Sequence, residues 1–216
     1  MSALLFGFYG EGTRDYGFTK PVVERTLEQL LPHIDILSQD IMVNDPLDQD
    51  EIVLEVARRG DGYSLVIFHL DADARTTEQA LRDRFAPGYR LVELSVEDVN
   101  QDIVPVIPVR MTEAWMLVDF EAFRQTVGTQ KTGDELGFPR RPRQVEAIPE
   151  PKVVFENAIK NSRPGRRRNI PPDDVYIPLA ARVRLDLLEQ VPAYQEVKFK
   201  QHLLTTLHAL HYSPVI

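Results

Sequence analysis

The chain has 216 residues, 43% hydrophobic and 27% charged, with a formal net charge of −8 at neutral pH. That length and balance suit one large domain, or a domain with an appendage, built round a sizeable core. It contains no cysteine, which excludes disulfides, thiolate chemistry and cysteine-ligated zinc.

No apolar run approaches the ~20 residues that a membrane-spanning helix needs. Met1 to Leu5 lacks the basic flank of a signal peptide. The expectation is a cytoplasmic protein without a membrane partner. Charge is spread unevenly: residues 1–110 carry about twice as many acids as bases, and residues 131–168 reverse that ratio. Arg140, Arg141 and Arg143 form one basic cluster, and Arg166, Arg167 and Arg168 another. Such clusters are either phosphate contacts or a solvated loop.

Ala3 to Tyr9 has the apolar texture of a buried strand, and Gly10-Glu11-Gly12-Thr13-Arg14-Asp15 follows as a tight turn. A helix is predicted next, with Thr19 as its cap and Pro21 in its first turn. Ile34 to Val43 contains a second strand, ended by Asn44-Asp45-Pro46. Asp48 and Glu51 have capping-box spacing and start a helix that stops at Gly60. Ser64 to Leu70 is the third strand and delivers Asp71 and Asp73.

Thr76 or Thr77 caps a further helix, which Pro87-Gly88 is expected to end. Tyr89 to Ser95 reads as a strand, as does Ile103 to Val109, whose two prolines favour an edge or irregular position. Thr112 then caps a helix carrying Trp115, Met116, Val118 and Phe123. Between Gly128 and Asp173 glycines and prolines leave loop or lid material with one short helix from Pro151 to Asn161. Two amphipathic helices, Ile177 to Val191 and Tyr194 to Leu210, complete the chain. The boundaries that follow are an α/β domain over 1–127, a basic loop or insertion over 128–173, and a C-terminal helical extension over 174–216 packed on the same domain. Alternating strands and helices predict a mostly parallel sheet flanked by helices, a Rossmann-like α/β fold.

In such a sheet the carboxyl ends of the first and third strands are neighbours, so Glu11 and Asp15 face Asp71 and Asp73. Carboxylates this close repel one another unless a cation or a proton relieves them. Hard oxygens favour Mg²⁺ or Mn²⁺. Glu113, at a helix start, either completes a second metal site or is an acid favoured by the helix dipole; Asp119 reads as structural. His69 shares a side of its strand with Asp71, either as a proton-transfer group or, more commonly for strand histidines, packed and hydrogen-bonded to backbone. The three histidines of the last helix, His202, His208 and His211, do not share one face and are not read as ligands. A third glycine of a dinucleotide fingerprint and a Walker lysine loop are both missing.

Glu11-Gly12-x-x-Asp15 after the first strand, with Asp71-x-Asp73 after the third, resembles the two signature motifs of the Toprim domain over about the first 120 residues. Ile107-Pro108, Glu113-Ala114-Trp115-Met116-Leu117-x-Asp119, Ala180-Ala181 and Val191-Pro192 resemble an uncharacterised bacterial Toprim-like family often encoded beside ATPases of the OLD and SMC type. The resemblance implies a Toprim-like fold and a Mg²⁺- or Mn²⁺-dependent nuclease acting on DNA or RNA, in phage defence or DNA processing. It makes Glu11, Asp71 and Asp73 catalytic, with Glu11 as general acid or base or metal ligand and Asp71 and Asp73 holding the metal; position at the same sheet edge adds Asp15 and Glu113 as metal-ligand candidates. Arg110, Arg140, Arg141, Arg166, Arg167 and Arg168 are then the nucleic-acid or phosphate contacts. The alternative it leaves is a non-catalytic partner that regulates a neighbouring ATPase.

Overall fold

The computed structural model describes residues 3–73, 76–162, 170–195 and 199–215. Four strands, β1 (Ala3–Tyr9), β2 (Asp35–Asp40), β3 (Leu65–His69) and β4 (Ile103–Val106), form one all-parallel sheet in the order β2-β1-β3-β4. The expected α/β architecture with helices on a parallel sheet is therefore what the chain adopts. β3 is buried at every position, as a central strand covered on both faces must be. β2, an edge strand, alternates only weakly.

Helices cover both faces. A π-helical turn at Asp15–Thr19 leads into α1 (Lys20–Leu30), and α2 (Gln49–Arg59) follows β2. The predicted Asp48–Glu51 capping box is formed, with the Asp48 N–H donating to Glu51 Oε2 at 3.1 Å. Thr19 does not cap α1: the π turn places it already in helical backbone, and among the described residues its buried hydroxyl has no partner.

The expected end at Pro87-Gly88 and the strand at Tyr89–Ser95 are both overturned. α3 (Thr77–Ala80), a π turn at Leu81–Phe85 and α4 (Ala86–Glu93) run on as one helical segment. The π turn explains why Pro87 is tolerated. Ala86 N–H donates to Leu81 O, one residue wider than an α-helical bond, just before the residue that has no N–H. Gly88 then lets α4 lie against α2, since a Cβ there would stand 2.7 Å from the Asp50 carbonyl oxygen. Thr76 caps α3, accepting from Gln79 N–H at 3.2 Å.

After β4 come α5 (Glu113–Met116), α6 (Phe120–Val127) and α7 (Gly133–Leu136). A 3₁₀ turn (Pro142–Ala147) and α8 (Pro151–Ser162) follow. The described part of the segment expected to be loop is thus largely helical or turn. Leu136, Phe138, Val145 and Phe155 are buried in the same core as Phe8, Leu27 and Trp115, so apolar burial outweighs the scattered glycines and prolines. Asp119 caps α6 through Oδ1, accepting from Glu121 and Ala122 N–H at 3.1 and 3.2 Å. Its Oδ2 accepts from Arg184 N–H and Nε at 3.2 and 2.9 Å.

That second bond breaks the expected long helix over Ile177–Val191 into α9 (Asp173–Ala180) and α10 (Leu185–Leu188), because Arg184 takes extended backbone to reach Asp119. Helix α11 (Phe199–Ala209) closes the core with Phe199, Leu203 and Leu207. No helix among the described residues is long and apolar enough to cross a membrane.

Candidate active site

Three segments meet at the carboxyl edge of the sheet, and strand register is the reason. Tyr9 pairs with Phe68, and His69 with Val106. The backbone stays joined beyond the strands. The N–H groups of Leu70, Ala72 and Asp73 donate to the carbonyls of Val106, Pro108 and Arg110 at 3.2, 3.1 and 3.1 Å. This carries Thr112 and Glu113 to Asp71, while the turn after β1 brings Glu11 and Asp15 from the other side. Gly10 makes that turn fit, since a Cβ there would lie 2.6 Å from Asp15 Cβ. The result is a cleft of about 240 Å³ lined by Glu11, Gly12, Thr13, Arg14, Asp15, Asp71, Thr112 and Glu113.

Asp15 is buried, and both its oxygens are engaged. Oδ2 accepts from Gly12 N–H at 2.8 Å, and Oδ1 lies 3.2 Å from the Thr112 hydroxyl. Fully buried His69 stands between Asp15 and Asp71. Its Nε2 is 3.0 Å from Thr112 Oγ1, and its Nδ1 is 3.4 Å from Asp15 Oδ2, an ion-pair distance without hydrogen-bond alignment. The histidine thus serves the acidic cluster, not the backbone as the more common strand packing suggested.

Thr112, expected as a helix cap, makes no capping bond. Its hydroxyl also lies 3.2 Å from Asp71 Oδ1, which accepts Thr112 N–H at 2.8 Å. A hydroxyl has one proton, so it donates to one aspartate at a time while accepting from a protonated Nε2.

Burial alone would keep His69 neutral, but the charges of Asp15 first, then Asp71 and Glu11, raise its pKa above 6.5. Burial also opposes ionisation of Asp15, yet His69, Gly12 N–H and the Thr112 hydroxyl hold its carboxyl below the ordinary value. Asp71 goes the other way. Burial, reinforced by the charges of Asp15 and Glu113, pushes it from 3.8 to about 6 against the pull of His69 and Thr112 N–H.

The other carboxylates take cations from distant parts of the chain. Arg84 Nη2 donates to Glu11 Oε1 at 3.0 Å, and Nη1 to Asp73 Oδ2 at 3.2 Å and to the Asp71 carbonyl. Glu11 Oε2 accepts Asp71 N–H at 3.1 Å. Arg14 Nη1 donates to Glu113 Oε1 at 2.6 Å, and among the described residues the buried Glu113 Oε2 has no partner. Asp73 and Arg110, joined through backbone, have left-handed φ of 41° and 65°. For a long side chain such as Arg110 that costs on the order of 1–3 kcal/mol.

The structure therefore brings Glu11, Asp15, Asp71 and Glu113 into one cleft, and places Asp73 outside its lining with a side chain 70% exposed. Asp15 anchors the cluster with both oxygens already used. Sequence reading passed over Arg84 and Arg14, and no local spacing marks them. Arg84 lies 73 residues from Glu11 and Arg14 lies 99 from Glu113, though Arg84 is only 11 from Asp73.

Among the described residues, no group of three or more His, Cys, Asp and Glu side chains is gathered closely enough to hold a metal ion. The donor chemistry nonetheless fits Mg²⁺ or Mn²⁺. Mg²⁺ keeps most of its waters and takes one or two carboxylates, and Glu113 Oε2 is a buried acceptor without a donor. Asp71 is held through Oδ1.

Of the predicted phosphate contacts, Arg110 is half-buried with Nε unpartnered. Arg140 is paired with Asp134 at 2.9 Å, and Arg141 opens the 3₁₀ turn. Arg166, Arg167 and Arg168 lie outside the described residues.

Fold and site define an α/β protein with an all-parallel four-stranded sheet and an acidic cleft at its carboxyl edge. No family model, curated protein or solved structure matches the chain.

Proposed function

We propose that the chain is a Toprim-like, metal-dependent phosphodiester hydrolase acting on DNA or RNA, with its chemistry in the cleft between Glu11, Asp71 and Glu113. The observation that supports this reading most is the buried, unpartnered Glu113 Oε2 in the same cleft as Asp71. A buried acceptor without a donor is costly and rare, and a cation satisfies it.

Asp71 and Glu113 are the residues that would hold the ion. Bound there, Mg²⁺ or Mn²⁺ supplies a polarising charge for a phosphoryl oxygen and a more acidic water. Thr112 orients Asp71 through Oδ1, and His69 Nε2 stands 4.0 Å from the same oxygen. Arg14, lining the same cleft, presents a guanidinium suited to a phosphate oxygen. Glu11, fixed by Asp71 N–H and Arg84, is positioned as the general base or acid. Phage defence or DNA processing in the cytoplasm is the setting that the motif resemblance suggests.

The test is cleavage of plasmid, single-stranded DNA and RNA with Mg²⁺ or Mn²⁺. Asp71→Ala and Glu113→Gln should each lose about 10³-fold in rate, ~4 kcal/mol of transition-state stabilisation. Cleavage that survives Asp71→Ala would refute the assignment.

One observation favours a second reading, a non-catalytic module that regulates a neighbouring ATPase: Arg84 already supplies a cation to Glu11 and Asp73. Absence of cleavage under every condition, together with a stable complex on an OLD- or SMC-type ATPase, would establish that role instead.

A further inference from the structure

A second cavity, of about 490 Å³, is lined by Arg140, Arg141, Pro142, Arg143, Gln190 and Gln195. Its volume is within the range of about 300–1,000 Å³ typical of ligand pockets. The turn that carries the three arginines is held on both sides. Phe138, just before it, packs on Phe120 and Phe123 with ring centroids 5.2 and 4.8 Å apart. Val145, within it, is fully buried. Within the turn Arg141 N–H donates to Gln144 Oε1 at 3.0 Å. Glu146 Oε1 accepts Ala193 N–H at 2.7 Å, tying the turn to the segment that bears Gln190 and Gln195. The arginines thus project from a fixed frame, whose ordering cost is met in folding and not on binding.

Charge matching is the second observation. In a chain of net charge −8, acids are in excess. Arg14, Arg59, Arg84, Arg124 and Arg184 each sit on a carboxylate, whereas among the described residues Arg25, Arg90, Arg110 and Arg182, scattered singly over the chain, do not. In the pocket, Arg140 has Asp134, but among the described residues neither Arg141 nor Arg143 has a carboxylate partner. Three guanidiniums within four residues repel one another unless anions lie between them. Planar forks of this kind match the paired oxygens of phosphate, and the glutamine amides beside them can hydrogen-bond sugar or base edges.

We infer that this pocket is an anion site that grips the phosphodiester backbone of a single nucleic-acid strand, separate from the acidic cleft. It names a substrate-holding surface for the proposed hydrolase and rests on that reading only for the identity of the anion.

The experiment is fluorescence anisotropy with short labelled single-stranded DNA and RNA, in EDTA so that neither metal nor cleavage enters. The Arg141→Ala/Arg143→Ala double variant should bind about tenfold more weakly. Its log affinity against log salt should be shallower by about 1.4, at ~0.7 for each lost phosphate contact. Arg141→Lys/Arg143→Lys should retain most of the salt slope, and circular dichroism should show both variants folded. Unchanged affinity and slope in the alanine variant would overturn the inference. So would complete competition by equimolar inorganic phosphate or a mononucleotide, which would make this a small-anion site. Loss of binding in the alanine variant, in a wild type that cleaves nothing with metal, would sink the hydrolase and leave the strand site standing.

Discussion

In the acidic cleft each carboxylate has a cationic partner: Arg84 for Glu11, Arg14 for Glu113, and His69 between Asp15 and Asp71. In the basic pocket, among the described residues, only Arg140 has such a partner, Asp134, six residues away. The first cluster is compensated by tertiary contacts and exists only when the sheet is assembled. The second is a local turn whose remaining charge faces outward. The contrast shows where an outside ligand has something to gain. In the cleft the open valence is a buried oxygen, which suits a cation; in the pocket it is two guanidiniums, which suit an anion.

The largest effect that would test the contrast is on pH. Asp71 has a folded pKa of about 6 against 3.8, so the folded state binds its proton more tightly. That contribution is fully present below pH 3.8 and is lost as pH rises through 6, up to ~3 kcal/mol. His69, also raised, acts in the same direction. Its stabilisation is present below 6.5 and is lost as pH passes its folded value. Asp15, lowered, contributes above 3.8 and loses its contribution only as pH falls through its folded value. Unfolding midpoints should therefore fall as pH rises from about 4 to 6 with Asp71 and again above 6.5 with His69, and Asp71→Asn should flatten the lower part of the profile. An equally steep profile in the variant would remove Asp71 as the main strained acid of the cleft.

Next in size is Thr112→Val, which deletes the hydroxyl shared by Asp15, His69 and Asp71. Denaturant unfolding should show a loss of about 2 kcal/mol, and a change within experimental error would mean that the shared hydroxyl carries no weight. Arg84→Gln should cost about 1 kcal/mol, since its pairs are partly exposed. It should also tighten Mn²⁺ binding, measured by electron paramagnetic resonance, because Glu11 and Asp73 lose their internal cation. Weaker Mn²⁺ binding would show that Arg84 arranges the cleft for metal. Arg140→Ala is the smallest: its pair with Asp134 is exposed, so the melting temperature should not move. A clear drop would mean that the basic turn, like the cleft, depends on its ion pair for folding.

The parallel sheet and the carboxyl-edge position of Glu11 and Asp71 were legible because strands buried on both faces read as short apolar runs. The Asp48–Glu51 box was legible because capping is local. Tyr89–Ser95 misled for the complementary reason. A short apolar segment fits a strand or a helix equally, and the π turn and Gly88 against α2 decided for helix. Phe138 and Val145 hid in a stretch rich in glycine and proline, because their burial depends on α6, α8 and the core they join.

What the sequence by itself determined about this protein is the position of its first and third strands, and hence that Glu11 and Asp71 end at one edge of the sheet. Those are properties of neighbours along the chain, and local sterics and apolar patterning suffice for them. Only the tertiary structure decided how these acids are compensated. Arg84 reaches Glu11, Arg14 reaches Glu113 and Thr112 joins Asp15 to Asp71, while Asp73 falls outside the cleft. Electrostatic and hydrogen-bond partners are chosen by distance in space, and no spacing in the sequence encodes that distance until the sheet has closed.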